Sequence, residues 1–234
     1  MRLISFRTGE ESSFGAVVEG RVVDLGRHLP EYDSLKALLA SQGLVRALDT
    51  AAEVSPDYRL NKLDMLAPLP DAERMICVFD DARDDVVAVD PKFVRGAGAR
   101  LRIPPGDKRP LAAGIAIAVE QNEGGHSPIG YCLLTYLSPA ALAMGPWLVT
   151  PDEFGEAEGV AITVAIGEKQ AELHLPDPAA SVSALADRES LGTGDVVALL
   201  HFIPDLSAGV EDEVSVSAEP IGELINTVAD VDPV

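Results

Sequence analysis

The stretch that decides the fold is LAAGIAIAVEQNEGGHSPIGYCLLTYLSPAALAMGPWLVTPDEF, which runs from Leu111 to Phe154. It contains two apolar runs, Leu111 to Val119 and Ile129 to Leu137, separated by a turn that contains glycine. Continuous apolar runs of this length, bounded by glycine and polar residues, are typical of β-strands that are buried on both faces. We therefore expect these two strands to form the core and to line any pocket.

Short apolar runs separated by turn residues also precede this stretch. Residues 1–25 predict strands joined by turns, and Glu19-Gly20 suits a tight hairpin. Residues 34–39 and 44–52 predict short helices, of which Asp33 or Ser34 caps the first. Residues 63–70 are rich in proline and predict an extended connection. We therefore expect a small N-terminal α/β domain over residues 1–70.

The pattern after Phe154 is also that of short strands. Residues 160–166 and 170–175 predict a hairpin, and Glu213 to Ala218 and Ile221 to Val228 predict closing strands. The whole pattern predicts a mostly β protein of the α+β class, in which residues 71–234 form a larger, β-rich core domain.

Composition narrows the classes of partner. The 234 residues carry a formal charge of −20, from 18 basic and 38 acidic residues, which disfavours binding to nucleic acid and to anionic membranes. No apolar run reaches the ~18 residues of a membrane span, and no secretory signal pattern is present, so a cytoplasmic location is the default expectation. Cys77 and Cys132 lie in apolar runs, which indicates buried thiols rather than a disulfide.

One segment matches a family motif residue by residue. The block GPWLVTPDEF, from Gly145 to Phe154, resembles a conserved block of the fumarylacetoacetate hydrolase family. Gly130-Tyr131 and the run GDVVA that begins at Gly194 resemble two further blocks of that family. The resemblance covers most of the chain. It implies a mixed β-roll or barrel core, a small N-terminal domain, and dimerisation.

The family binds a divalent metal through two glutamates of one strand and an aspartate of the next. In this sequence the matching positions are Ala112, Gly114 and Tyr136. None of these residues supplies the carboxylate oxygen that a hard cation requires. We therefore expect no metal site here, and the sequence indicates no other cofactor.

The family's catalytic histidine matches Asp84 or Asp85 in this chain. An aspartate can act as a general base, so Asp85 is a candidate catalytic residue and Asp81 a candidate substrate-binding residue on a lid. The alternative is a solvated acidic loop. Arg95 matches a family lysine and is a candidate for holding an anionic group, although it could instead neutralise the acidic loop.

The substrate loop of the family is replaced by Leu199-Leu200-His201-Phe202. We expect Tyr136 and His201 to face a common cavity, in which the phenol donates a hydrogen bond to a carbonyl or enolate oxygen. Either side chain could instead be a satisfied core group. The residues expected to shape the apolar part of this cavity are Ala112, Gly114, Leu200 and Phe202.

Two functions follow from a pocket that has lost its metal ligands. The first is a metal-independent enzyme that cyclises, isomerises or otherwise rearranges an apolar small molecule containing a carbonyl group, in a biosynthetic setting. The second is a catalytically inactive subunit that supports an active paralogue. Ordinary hydrolysis of a C–C bond by the family mechanism is a third possibility. The expected partners are a small-molecule substrate and either a second copy of the chain or a paralogue.

Overall fold

The computed structural model describes residues 1–79, 86–155, 159–174 and 177–231. In chain order, the strands are β1 (Arg2–Thr8), β2 (Glu11–Val18), β3 (Arg21–Asp24), β4 (Tyr58–Arg59), β5 (Asp64–Met65), β6 (Met75–Phe79), β7 (Val86–Val89), β8 (Val94–Arg95), β9 (Arg100–Ile103), β10 (Lys108–Asn122), β11 (Gly125–Ser138), β12 (Ala141–Val149), β13 (Ala161–Ile166), β14 (Lys169–His174), β15 (Val196–Gly209), β16 (Glu213–Ala218) and β17 (Gly222–Asp230). The α-helices are α1 (Leu25–His28), α2 (Leu35–Ala40), α3 (Leu44–Glu53), α4 (Pro151–Phe154) and α5 (Pro178–Ala186). Strands account for 53% of the structure and helices for 18%, so the predicted mostly β class is confirmed.

The hairpin of β10 and β11 is the centre of the larger sheet. Its antiparallel register runs from the pair Ala112–Tyr136 to the pair Asn122–Gly125. Residues 111–119 of β10 are all buried, because one face packs against the second sheet and the other against the N-terminal half. The expectation that the two apolar runs form the core is therefore confirmed.

The larger sheet has twelve strands and is continuous with the N-terminal region. Its order is β4-β3-β2-β1-β12-β11-β10-β15-β6-β7, with β5 added beside β1 and β8 beside β12. The link between the two parts is the antiparallel pairing of β1 with β12, at Arg2–Val149 and Leu3–Leu148. The boundary predicted at residue 70 falls in the connection between β5 and β6, and separate folding of the two parts stays a prediction.

Local chemistry accounts for the N-terminal elements. Glu19 and Gly20 both have positive φ, at 48° and 73°, and such a turn matches the twist of the two strands that it joins. Ser34 caps α2, because its side chain accepts a hydrogen bond from the backbone N–H of Ala37 at 3.1 Å. These findings confirm the predicted tight hairpin and select Ser34 over Asp33 as the cap.

The smaller sheet has five strands in the order β14-β13-β16-β17-β9. A hydrophobic core between the two sheets includes Ile115 and Leu133 of the central hairpin and Val214 and Leu224 of the smaller sheet. The opposite face of the larger sheet shares a second core with the N-terminal helices, in which Ala112 and Ala116 join Leu35 and Leu38. Each face of the central strands thus belongs to a different core.

Both cysteines are buried free thiols, as predicted. In the described parts of the chain, none of the helices has the length and apolar composition needed to cross a lipid bilayer.

Candidate functional site

Three of the predicted site residues form one row across neighbouring strands. Ala112 of β10 is paired with Tyr136 of β11 on one side and with Phe202 of β15 on the other. Side chains of directly opposite residues lie on the same face of a sheet, with Cβ atoms about 4.5–5.5 Å apart. Tyr136 and Ala112 also belong to the same hydrophobic core, on the side of the N-terminal helices. Ala112 and Tyr136, two of the aligned ligand positions, are therefore adjacent in space, as the motif alignment predicted.

Gly114 occupies the next position on this face of β10. The backbone of β15 fills the space that a side chain at this position would need. Gly114 pairs with Leu134 and Leu200. A Cβ atom at this position would lie 1.9 Å from the carbonyl oxygen of Leu199 and 3.2 Å from the Cα atom of Leu200. Real Cβ atoms do not approach backbone so closely, so β15 occupies the space where a longer side chain would begin. The aligned ligand position at Gly114 cannot hold a glutamate without a movement of β15.

Aromatic rings fill the space around Tyr136. The ring of Phe79, at the end of β6, meets the ring of Tyr136 edge-on at 5.1 Å and 69°. The same ring stacks on Phe202 at 5.0 Å and 14°. Tyr136 is 7% exposed, whereas Phe202 is 43% exposed. The three rings, which we call the aromatic cluster, therefore lead from a buried phenol to a phenylalanine that solvent reaches.

The sequence analysis did not single out Phe79. The available signal was its position as the last residue of a buried apolar run, directly before the acidic segment. Its contact with Phe202 depends on the parallel pairing of β6 with β15, in which Phe79 lies opposite Leu200. This pairing joins segments 121 residues apart (79 to 200), and no local pattern predicts it.

The groups in and behind the aromatic cluster are neutral at pH 7. Burial raises the pKa of the Tyr136 phenol above its ordinary value of 10.0. Burial also raises the pKa of the Cys77 thiol, to about 12. The phenol therefore keeps its proton and can donate a hydrogen bond, while the thiol is a poor nucleophile because it does not ionise.

The side chain of His201 does not lie on the face of the sheet that carries Tyr136. The expectation that Tyr136 and His201 face a common cavity is therefore wrong. His201 is paired with Ala113, the neighbour of Ala112, and successive side chains of a strand point to opposite faces. Ala113 belongs to the core between the two sheets, whereas Ala112 belongs to the other core. Tyr136 and His201 therefore lie on opposite faces of the larger sheet.

The other predicted residues have different places. Leu200 is 1% exposed and belongs to the same core as Tyr136. Arg95 is exposed and paired with Ala143, one residue beyond the Val94–Leu142 pair that continues the row of Tyr136. By strand alternation it lies on the side opposite to Tyr136. Asp81 and Asp85 lie outside the described residues.

The residues at the aligned ligand positions do not fit a divalent metal. An alanine, a glycine closed by backbone and a protonated phenol offer no carboxylate to a hard cation. Within residues 1–79, 86–155, 159–174 and 177–231, no group of three His, Cys, Asp or Glu side chains is arranged to hold a metal ion.

Comparison with known proteins establishes the fold. No protein-family model and no curated protein sequence matches the chain. Among solved structures, maleylpyruvate hydrolase from Sphingobium sp. SYK-6 has a TM-score of 0.80 at 15% identity, over 99% of this chain and 100% of that one. The 2-keto-3-deoxy-D-arabinonate dehydratase complexed with magnesium and 2,5-dioxopentanoate has a TM-score of 0.73 at 15% identity, over 100% of both chains.

A third similar structure is 2-hydroxyhepta-2,4-diene-1,7-dioate isomerase from Mycobacterium marinum, with a TM-score of 0.67 at 17% identity over 100% of both chains. A hydrolase, a dehydratase and an isomerase thus share one architecture, and all three are members of the fumarylacetoacetate hydrolase superfamily. At these sequence identities, structural similarity shows the fold and does not identify the reaction. The chain has the fumarylacetoacetate hydrolase-like fold that its sequence motifs predicted.

Proposed function

We propose that the protein is a metal-independent enzyme on this fold, which isomerises, cyclises or otherwise rearranges an apolar small molecule that contains a carbonyl group. The observation that carries the proposal is the row of Tyr136, Ala112 and Phe202. Tyr136 and Ala112 occupy aligned ligand positions, and Phe202 lies beside Ala112. A site that holds a metal is lined by carboxylates, whereas this row is apolar except for one phenol. A substrate for it is bound mainly by apolar contact and oriented by few polar groups.

Tyr136 supplies the chemistry in this proposal. Because burial raises its pKa, the phenol is protonated at neutral pH and donates a hydrogen bond to a carbonyl or enolate oxygen. Such a bond stabilises the negative charge that develops on this oxygen when a neighbouring C–H or C–C bond rearranges. Rearrangements need no water molecule as a reactant, which suits a site enclosed by aromatic rings.

The remaining residues of the proposal bind and position the substrate. Phe202 is 43% exposed and its ring is stacked on Phe79, so a flat, conjugated carbonyl compound is the substrate shape that suits contact with these rings. Leu200 packs behind it. Asp85 as general base and Asp81 as a substrate contact rest on the sequence alone. Arg95 lies on the side of the sheet opposite to Tyr136, so it has no part in binding this substrate.

The similar structures support the carbonyl class. One is a complex of maleylpyruvate hydrolase with manganese(II) and pyruvate, and another contains magnesium and 2,5-dioxopentanoate. Both small molecules are oxo acids, and both structures include a divalent metal. The proposal keeps the carbonyl group for this chain and replaces the metal by the phenol of Tyr136.

The second candidate is a catalytically inactive subunit that supports an active paralogue. The burial of Tyr136 favours this alternative, since a ring that is 7% exposed and packed on Phe79 fills the place of the former site. The two candidates differ in whether the aromatic cluster accepts a ligand.

Binding of a conjugated aryl ketone separates them. The probe is benzylideneacetone, titrated by calorimetry into protein dialysed against EDTA. The enzyme proposal expects saturable binding that Tyr136→Phe weakens about fivefold through the lost hydrogen bond, and that Phe202→Ala also weakens. Tyr131→Phe is the matched control, since Tyr131 lies on the same strand but packs in the other core against Phe154.

Two outcomes would favour the inactive subunit. One is the absence of saturable binding by the folded wild-type protein. The other is binding that Tyr136→Phe and Tyr131→Phe change equally. Hydrolysis of maleylpyruvate that depends on added manganese(II) would contradict the proposal directly and restore the ordinary hydrolase.

A further inference from the structure

The outer edge of the twelve-stranded sheet carries two arginines directly opposite each other. Arg21 of β3 is paired with Arg59 of β4, so both side chains lie on one face. Together with Gly20, Leu60 and Asn61 they line an open depression of about 540 Å³. Both arginines are exposed to solvent. The volume is large enough for a small anionic ligand.

The two positive charges of this pair have no ion-pair partner in the part of the chain that the structure describes. Like charges directly opposite each other on neighbouring strands destabilise a sheet. Among the described residues, neither guanidinium has a carboxylate within 4.0 Å. Asp57, two residues before Arg59, is bound to Arg27 at 3.2 Å and to His28 at 3.1 Å. Glu19, two residues before Arg21, is exposed and forms no ion pair with Arg21. An unbalanced pair of cations is unexpected in a chain with 38 acidic residues against 18 basic ones.

The depression is also held open by the backbone. The guanidinium of Arg21 donates a hydrogen bond through Nη2 to the carbonyl oxygen of Pro56 at 3.2 Å, which restricts its position. Gly20, at φ 73° in the turn between β2 and β3, places no side chain in this space. Its carbonyl oxygen accepts a hydrogen bond from the N–H of Leu60 at 3.2 Å, which ties the two walls together.

We propose that Arg21 and Arg59 bind the phosphoryl group of a small molecule. Guanidinium groups donate paired hydrogen bonds to phosphate oxygens, and two of them reaching from adjacent strands contact different oxygens of a tetrahedral anion. The amide of Asn61 adds a neutral donor at the rim of the same depression. The bound anion supplies the negative charge that no carboxylate of the described residues places within 4.0 Å of the pair.

This site is separate from the aromatic cluster. Strands β2, β1 and β12 lie between β3 and β11 in the sheet order, so the arginine pair and Tyr136 belong to different ends of the sheet. Failure of the enzyme proposal therefore leaves this inference standing, and the reverse also holds.

The test is calorimetric titration of inorganic pyrophosphate into the full chain, without metal ions and at about 150 mM NaCl, where nonspecific attraction is screened. We expect saturable binding with a Kd below about 1 mM, and a loss of about tenfold in Arg21→Gln and in Arg59→Gln. Arg100→Gln is the matched control, because it removes the same charge from an exposed position on β9 of the other sheet. It leaves the Kd unchanged.

A second readout keeps the test independent of folding defects. Without anions, Arg59→Gln relieves the repulsion within the pair and raises Tm by about 1–2 °C, and pyrophosphate then raises Tm less than in the wild type. Equal losses of affinity in Arg59→Gln and Arg100→Gln would overturn the proposal, since they indicate attraction by net charge alone. Absence of saturable binding would also overturn it, and equal affinity for succinate would overturn the assignment to a phosphoryl group.

Discussion

Gly114→Ala tests whether β15 leaves no room for a side chain at residue 114, one of the aligned ligand positions. The added Cβ atom would lie 1.9 Å from the carbonyl oxygen of Leu199 and 3.0 Å from its carbonyl carbon. Both are backbone atoms of a central strand, so relief requires a shift of β15 of about 1 Å rather than a change of rotamer. Overpacking of this kind costs about 1–3 kcal/mol. Weakened ladder hydrogen bonds around the pair Gly114–Leu200 cost about 1 kcal/mol more.

One gain opposes this loss. Replacing glycine by alanine reduces the entropy of the unfolded chain and stabilises by about 0.4–1 kcal/mol. The net expectation is a loss of about 1–3.5 kcal/mol in the free energy of unfolding, with a central value of about 2 kcal/mol. For a chain of this size that loss lowers Tm by about 5–10 °C.

The assay is urea denaturation followed by circular dichroism, with Gly192→Ala as the control. At Gly192 the nearest atom to an added Cβ is Asp195 Oδ2 at 3.8 Å, an ordinary contact, so we expect a change within about 0.5 kcal/mol. If the two variants are equally stable, β15 does not close the position. A side chain at residue 114 could then reach the space beside Ala112 and Tyr136, and the structural argument for the proposed metal independence would fail.

Two further predictions concern metal and pH. In 5 mM manganese(II) we expect Tm to change by less than about 1 °C relative to EDTA, whereas a site with a Kd of about 50 μM would stabilise by about 2.7 kcal/mol and raise Tm by several degrees. Because burial raises the pKa of Cys77 from 9.0 to about 12, its stabilising contribution is complete below pH 9 and is lost as the pH rises towards 12. We expect Cys77 to contribute up to about 1.4 kcal/mol per pH unit to the slope of the free energy of unfolding, which urea titrations of the wild type and of Cys77→Ala at several pH values measure as a difference.

Much of the fold follows from local patterns in the sequence. The hairpin of β10 and β11 was predicted from two uninterrupted apolar runs, and β16 begins and ends at the predicted residues, Glu213 and Ala218. Such runs report burial on both faces directly. The motif alignment adds the adjacency of Ala112 and Tyr136, because it assigns both to ligand positions of one site.

The faces of the sheet were less predictable. His201 was placed beside Tyr136 because it occupies the replaced substrate loop, yet the register pairs it with Ala113. A shift of one residue moves a side chain to the other face, so a motif alignment without strand register cannot assign it. The approach of Leu199 to Gly114 depends in the same way on tertiary contact, and the sequence shows only that residue 114 is a glycine.

The hydroxyl group of Tyr136 distinguishes a filled core from a ligand site. A phenylalanine would fill the same volume and pack equally well on Phe79, without a polar group to satisfy. Burying a hydroxyl costs about 1–3 kcal/mol unless it is hydrogen-bonded, so a ring whose task is filling gains nothing from the oxygen. In that case Tyr136→Phe leaves the free energy of unfolding unchanged or raises it, and ligand binding is not affected.

A ligand site differs from a filled core in the binding result. The hydroxyl then makes a bond to the ligand that a phenylalanine cannot make. Tyr136→Phe is therefore expected to change the free energy of unfolding by less than about 0.5 kcal/mol while weakening binding of the aryl ketone about fivefold. Urea denaturation and calorimetry on the same two proteins measure both quantities, with Tyr131→Phe as the reference for removing a hydroxyl from the other face. A variant that loses stability and binding in proportion would show a structural hydroxyl, and the assignment of Tyr136 to catalysis would have to be withdrawn.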